Sequence, residues 1–253
     1  MDMTTKSIRI AAVADLHCPR TSGEVLKPFF TELAAQADII LLCGDLTDYG
    51  KPEEAQALAQ SLSGVGRIPI VAVLGNHDYE CGQAEEVERI LCASGVKMLD
   101  GTSVEIDGIG FAGVKGFAGG FGDRMLQPWG EPILKQFVHE ALEEALKLES
   151  ALAKMSTASR IALLHYAPIY ATVEGEPAEI IPFLGSSRLE EPLNRYGVTA
   201  VFHGHAHHGS PEGRTREGVP VYNVAMPLLR RRFPDQQPVR FFDVPTATET
   251  VAT

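Results

Sequence analysis

Uninterrupted apolar runs alternate with amphipathic stretches through the first hundred residues of the chain. An apolar run of four to eight residues predicts a strand buried on both faces, whereas apolar residues three and four positions apart predict a helix. The predicted strands cover 7–14, 38–43 and 68–74, and the predicted helices cover 24–36, 52–62 and 83–93. This β-α-β-α-β-α order predicts a parallel sheet with right-handed crossovers.

The pattern changes from about Lys97 onward. The segments 96–99, 102–106 and 109–114 are separated by Asp-Gly pairs, which favour hairpin turns, so a more antiparallel region is expected there. Residues 115–130 are rich in glycine, contain the only tryptophan and predict a loop. The later elements expected are helices over 131–155 and 188–196 and strands over 160–164, 199–202, 219–224 and 239–242.

Composition places the chain among ordinary globular proteins, with 45% hydrophobic and 22% charged residues in 253. We expect a single domain over 1–253, with 244–253 as a loose tail. No apolar run approaches the roughly 18 residues that would span a bilayer, and the first residues lack the layout of a secretory signal. Four cysteines without CxxC spacing suit a reducing compartment. The expected location is therefore the cytoplasm.

A formal net charge of −11 argues against broad attraction to nucleic acid or to anionic lipid. We therefore expect no nucleic-acid polymer and no membrane as a partner. An anionic small-molecule substrate would need a local positive centre.

Polar side chains follow five of the predicted strands at their carboxyl ends, where open α/β sheets gather ligands. Taken singly, a buried asparagine is usually satisfied by its own turn and a lone histidine by a core hydrogen bond. Five such clusters together would be costly in a low-dielectric site unless a cation compensated them. Carboxylate, amide and imidazole groups without thiolate suit hard to borderline divalent ions. The five clusters are Asp15 and His17, Asp45, Asn76 and His77, His165, and His205 and His207.

The ordered blocks DLH, GD, GNHD, H and GHAH resemble the calcineurin-like metallophosphoesterase superfamily over residues 15–207. The resemblance implies an α/β fold, a four-layer α/β/β/α sandwich with two mixed sheets flanked by helices. It also implies two divalent ions, with manganese, iron and zinc all compatible with the ligands. The implied reaction is attack of a metal-bridging hydroxide on phosphorus.

The resemblance assigns a role to each residue of the blocks. Asp15, His17 and His207 would bind one ion, and Asp45 would bridge both. The second ion would be bound by Asn76, His165 and His205. His77 would be the general acid, Asp78 would orient its imidazole, and Asn76 and His77 would contact the substrate.

The reaction class leaves alternatives open. We favour hydrolysis of small phosphodiesters, which include cyclic nucleotides, while a phosphomonoesterase or protein phosphatase would use the same metal centre. A non-catalytic binding scaffold, as in the retromer subunit that resembles this fold, is disfavoured because His77 and every expected ligand are present.

Several other polar residues are assigned structural roles. His203 and His208 flank the ligand pair, His139 belongs to a helix surface, and Cys18 and Cys43 are expected to pack. Arg230, Arg231 and Arg232 are interpreted as a solvated edge, with contact to a second anionic group of the substrate as the alternative.

Overall fold

The predicted strands and helices form two sheets with helices on their outer faces in the computed structural model, which describes residues 7–21 and 25–245. The strands are β1 (Ser7–Val13), β2 (Ile39–Cys43), β3 (Ile70–Val73), β4 (Lys97–Met98), β5 (Thr102–Ile106), β6 (Ile109–Gly113), β7 (Ser159–Leu163), β8 (Ala200–His203), β9 (Glu212–Arg214), β10 (Pro220–Asn223) and β11 (Arg240–Pro245). The helices are α1 (Lys27–Ala34), α2 (Pro52–Leu62), α3 (Ala84–Ala93), α4 (Pro132–Ala153), α5 (Glu190–Arg195) and α6 (Met226–Arg232).

Both sheets are mixed. The first has the order β11-β1-β2-β3-β4, in which β1 to β4 run parallel and β11 pairs antiparallel with β1. The second has the order β5-β6-β7-β8-β10-β9, in which the central pairs are parallel and the two edge pairs are antiparallel. The parallel strands of the first sheet follow from the β-α-β connections that the sequence predicts.

Three apolar clusters separate four layers. Ile10 and Leu41 of the first sheet pack against Phe111 and Phe202 of the second, and all four side chains are buried. Their strand neighbours point to the opposite faces, where helices cover them. Burial on both faces explains why these strands are uninterrupted apolar runs. The α/β/β/α sandwich is therefore confirmed.

The pairing of the segment 96–99 differs from the predicted hairpin. Lys97 and Met98 pair parallel with Val71 and Ala72 of β3, so β4 extends the first sheet through one more β-α-β unit. The antiparallel hairpin is formed by β5 and β6 alone. The second half is also less antiparallel than predicted, because its antiparallel pairs lie only at the sheet edges.

One described strand and one described α-helix were not predicted. Strand β9 has the sequence Glu-Gly-Arg, which carries no apolar signal, and it forms through backbone pairing with β10. Helix α6 is a seven-residue helix with proline in its first turn, and it places Arg230, Arg231 and Arg232 in its last turn.

The two ends of the chain lie partly outside the described residues. The predicted loose tail over 244–253 is wrong for Val244 and Pro245, which belong to β11, and Val244 is fully buried. Residues 246–253, the first six residues and Glu24, the predicted start of the first helix, lie outside the described part. Among the described helices, none is both long and apolar enough to cross a membrane.

Replacing Phe202 with alanine should destabilise the protein by about 3–5 kcal/mol, because the removal of a fully buried ring between the two sheets leaves a cavity. Equilibrium denaturant unfolding measures the effect. The matched variant Phe233→Ala, at a ring that is 36% exposed, should cost less than about 1 kcal/mol. Equal losses in the two variants would contradict the assignment of Phe202 to the core between the sheets.

Candidate metal centre

The carboxyl ends of strands from both sheets meet at one edge of the sandwich. The Asp15 amide donates to the Gly44 carbonyl at 3.0 Å, and the His17 amide donates to the Asp45 carbonyl at 3.0 Å, so the loops after β1 and β2 run side by side. The His205 amide donates to the Asp15 carboxylate at 3.0 Å, which ties the loop after β8 to the first sheet. The predicted clusters are thus brought together.

Two glycines make this approach possible. A Cβ atom added to Gly75 would lie 2.2 Å from the Asp45 amide nitrogen, and one added to Gly204 would lie 2.4 Å from the Asp15 Oδ2 atom. Real Cβ atoms do not approach other atoms so closely. A side chain at either position would push a predicted ligand away from its partners.

Potential metal ligands converge in overlapping groups whose donor atoms lie within 4.8 Å of one another. One group contains Asp15, His17 and His207, and another contains Asp45, His165 and His205. A third group joins His17 and Asp45 to His77, so the first two groups adjoin. This division is the one that the sequence resemblance implies for two ions, and the role of each residue as a ligand stays a prediction.

The backbone is strained at four of these residues. Within the described part, five non-glycine residues have positive φ, and four of them are Asp15, His17, Asp45 and His205, with φ of 57°, 42°, 48° and 70°. The left-handed region costs roughly 1–2 kcal/mol per residue for non-glycine side chains. Strain of this kind persists where the surrounding structure holds it and is typical of functional sites. It turns the four side chains out of their strands towards the common centre.

Two carboxylate-imidazole pairs link the sheets. His165 Nε2 lies 3.2 Å from Asp45 Oδ1, and His207 Nε2 lies 3.0 Å from Asp15 Oδ1. Burial alone would raise the pKa of Asp45, but the His165 imidazole holds it below its ordinary value. At His165, burial alone would lower the pKa. The negative charge of Asp45 outweighs this effect and raises the pKa of His165 to about 9. In the Asp45–His165 pair a proton supplies the positive charge that a divalent ion would supply when bound.

Backbone carbonyls orient two of the imidazoles. His165 Nδ1 donates to the Cys43 carbonyl at 3.0 Å, which directs Nε2 towards Asp45 and towards Asn76 Oδ1, 2.9 Å away. His205 Nε2 donates to the Phe183 carbonyl at 3.3 Å, which leaves its Nδ1 as the available ligand atom. Burial lowers the pKa of His205 to about 4, so its ring is neutral. Such outer contacts are typical of metal-binding histidines.

His17 provides the test of whether these residues fit a metal ion. Its Nε2 atom is buried without a hydrogen-bond partner in the described structure, and it lies 3.8 Å from Asp45 Oδ2. Burial lowers the pKa of His17, which favours a neutral ring with a free electron pair. An orphaned buried nitrogen is costly unless something binds it. A cation held by the surrounding carboxylates and imidazoles satisfies it, so the residues fit a divalent metal.

The structure gives Asp78 a role other than the predicted orientation of His77. Its carboxylate accepts from the Thr47 hydroxyl at 2.6 Å, the Thr47 amide at 2.8 Å and the Gly75 amide at 2.8 Å, with the Leu46 amide at 3.2 Å. His77 Nδ1 instead donates to the Asp48 carbonyl at 2.8 Å. The Asp78 carboxylate therefore holds the loop after β2 against the loop after β3, and the Asp48 carbonyl orients His77.

The residues predicted to be structural lie as follows. His203 is buried, with Nδ1 2.8 Å from the Gly204 carbonyl and Nε2 2.8 Å from Thr172 Oγ1, so neither nitrogen is free. His139 is exposed beside Glu143. Cys18 and Cys43 are buried free thiols.

Sequence reasoning missed two contacts at the site. The Arg231 guanidinium donates to the His207 carbonyl at 2.6 Å and lies 3.0 Å from His208 Nδ1. It therefore stabilises the loop that carries His205 and His207. The Tyr166 ring packs 4.5 Å from the His205 ring, centroid to centroid. In the sequence, only the position of Tyr166 next to His165 could have indicated that Tyr166 lies at the site. No sequence feature indicated that Arg231 contacts residue 207.

Comparison with known proteins decides the family. The family model of calcineurin-like phosphoesterases matches residues 8–209. The chain belongs to the calcineurin-like phosphoesterase family. It is therefore a metal-dependent hydrolase of phosphoesters, with the predicted divalent-metal residues in the matched region. None of the curated proteins searched matches the sequence.

Solved structures share the fold of this calcineurin-like phosphoesterase at low identity. The phosphopantetheinyl hydrolase PptH from Mycobacterium tuberculosis is 14% identical with a TM-score of 0.64, covering 94% of this chain and 96% of its own. The protein TT1561 of Thermus thermophilus is 18% identical with a TM-score of 0.54, covering 95% and 99%. Purple acid phosphatase PPD1 from yellow lupin is 13% identical with a TM-score of 0.55, covering 88% and 44%.

Replacing Asp45 with asparagine should weaken metal binding by more than about 100-fold, since even outer contacts of a metal site are worth 10–100-fold. Because Asp45 belongs to the group with His165 and His205 and also lies 3.8 Å from His17 Nε2 of the other group, both ions should be affected together. Metal titration followed by elemental analysis of the dialysed protein measures this. The exposed-site variant Asp235→Asn is the control, and retention of two tightly bound ions by Asp45→Asn would contradict the bridging role.

Replacing Asp78 with asparagine should cost roughly 1–3 kcal/mol of unfolding free energy, because the new amide group would face backbone N–H donors in a buried site. Denaturant unfolding of the metal-free protein measures the loss. An unchanged stability together with a large fall in turnover would instead support the orientation of His77 by Asp78.

Proposed function

We propose that this phosphoesterase binds two divalent ions and hydrolyses small phosphodiesters, with His77 as the general acid. The observation that carries the proposal is the convergence of the predicted ligand residues in two adjoining groups with His77 at their junction. Divalent ions in such a site supply Lewis acidity towards phosphate oxygens and acidify a coordinated water. Asp15, His17 and His207 would hold one ion, Asn76, His165 and His205 the other, and Asp45 both.

The charges around His77 support a diester rather than a monoester. The Asp48 carboxylate lies 3.7 Å from His17 Nδ1, and the Glu80 carboxylate lies 3.5 Å from His77 Nδ1. Both carboxylates are partly exposed at the rim of the site. A phosphomonoester dianion carries one more negative charge than a diester, so these groups repel it more strongly.

His77 is suited to protonate the leaving oxygen. Its Nδ1 atom is held by the Asp48 carbonyl at 2.8 Å, so Nε2 is the ring atom available to the substrate. The ring is partly exposed and packs edge-on against His17, 4.6 Å away between centroids. A proton on Nε2 would pass to the departing alkoxide, a contribution of about 10²–10⁴ in rate.

The proposal includes a cytoplasmic location and no nucleic-acid polymer as substrate. Two observations support it: Cys18 and Cys43 are buried as free thiols, and the chain carries a formal charge of −11. Burial raises the pKa of Cys18 to about 12, so its thiol stays protonated and packs as a small apolar group.

Turnover of a chromogenic phosphodiester and of the matching monoester tests the proposal. The protein loaded with Mn²⁺ should hydrolyse bis(p-nitrophenyl) phosphate faster than p-nitrophenyl phosphate, and a chelator should abolish both reactions. His77→Ala should keep its metal and lose about 10²–10⁴ of kcat on an alkyl diester, whose alkoxide leaving group needs the proton.

The control variant is His139→Ala, at an exposed histidine on α4, which should retain full activity. Faster hydrolysis of the monoester would make the protein a phosphomonoesterase. No turnover of either ester by the loaded protein would favour a binding scaffold.

A further inference from the structure

An apolar groove of about 500 Å³ opens beside the candidate metal centre. Its walls come from the glycine-rich loop over 115–130, the first turns of α4 and the turn before Leu184. The apolar side chains that line it include Leu126, Ile133, Leu134, Phe137, Pro182 and Phe183. A volume of this size is typical of sites that bind small organic molecules.

Phe183 links the groove to the metal centre. The backbone carbonyl of this residue accepts from His205 Nε2 at 3.3 Å, while its side chain lines the groove. A chain of ring contacts makes the same connection, from His205 to Tyr166 at 4.5 Å, on to Phe117 at 6.0 Å and on to Phe137 at 4.9 Å. The groove therefore adjoins the metal centre on the side of His205 and Phe183.

The rim of the groove leaves large apolar side chains in solvent. Ile133 is 73% exposed and Phe183 is 58% exposed. Exposed apolar surface next to a polar site is typical of ligand binding. Among the described residues that line the groove, Arg124 alone carries a charge, so the surface that the groove offers to a ligand is largely apolar.

We propose that the substrates of this enzyme are phosphoesters with a flexible apolar arm, and that this arm lies in the groove while the phosphate lies at the metal ions. The inference rests on the proposed phosphoesterase function and deepens it by naming the substrate class. Burial of each methylene group against the walls strengthens binding by up to about fourfold. Ile133 and Phe137 are specificity residues, because they are one helical turn apart and face the same groove.

Binding of alkyl phosphates tests the groove independently of turnover. Calorimetric titration of the Mn²⁺-loaded protein with ethyl phosphate and with octyl phosphate compares two ligands that differ only in the apolar arm. We expect octyl phosphate to bind more than about tenfold tighter, from the gain per buried methylene group. Equal affinities would overturn the inference.

Two aspartate variants on α4 locate the effect. Ile133→Asp should remove most of the preference for octyl phosphate over ethyl phosphate. Leu146→Asp, at a 55% exposed position on the same helix, is the matched control and should keep the preference. A preference that survives Ile133→Asp would overturn the inference.

Turnover separates this inference from the proposed function. Methyl and octyl p-nitrophenyl phosphodiesters share one leaving group, so their kcat/KM values differ only through the arm. Hydrolysis of both at equal rates would uphold the phosphoesterase and overturn the arm site. A chain-length preference in binding without any hydrolysis would uphold the groove and overturn the proposed reaction. A dimer that Ile133→Asp dissociates, without any chain-length preference, would overturn the inference and assign the groove to a contact between two copies.

Discussion

The structure depends on the compensation of two buried carboxylates where the two sheets meet. Asp15 and Asp45 are 2% and 1% exposed, and an unpaired carboxylate at such a position would be strongly destabilising. Each follows a strand of the first sheet, and each is paired with an imidazole that follows a strand of the second sheet, His207 or His165. The charges that suit the site to cations therefore also tie the two halves of the sandwich together.

The same constraint accounts for the local geometry of the site. Side chains that continued along their strands would point into the two sheet faces, where only apolar groups are tolerated. The left-handed backbone at Asp15, Asp45 and His205 turns them towards the centre, and small residues such as Gly75 and Gly204 let the loops approach. The cost in backbone strain is offset by the contacts that the turned side chains make. The Asp78 carboxylate helps by holding the loops after β2 and β3 through four hydrogen bonds.

Most elements were predictable because their apolar patterns are local. The helix over 52–62 begins and ends where predicted, and β1 and β2 differ from their predicted ranges by one residue at one end. The misassigned or missed segments lack such patterns. Strand β4 has only two residues, β9 has no apolar run and α6 has seven residues, so each forms through contacts that its own sequence does not encode.

The sequence alone determined the order of the first strands and helices and the residue types available as ligands, because burial on both faces of a strand and polar residues at its end are properties of adjacent positions. Only the tertiary structure decided which groups meet. Residues 43 and 165 lie far apart along the chain, yet the contact between them orients an imidazole. The unsatisfied His17 nitrogen, the partners of Asp78 and the apolar groove beside Phe183 likewise arise from packing between distant segments, which no local pattern records.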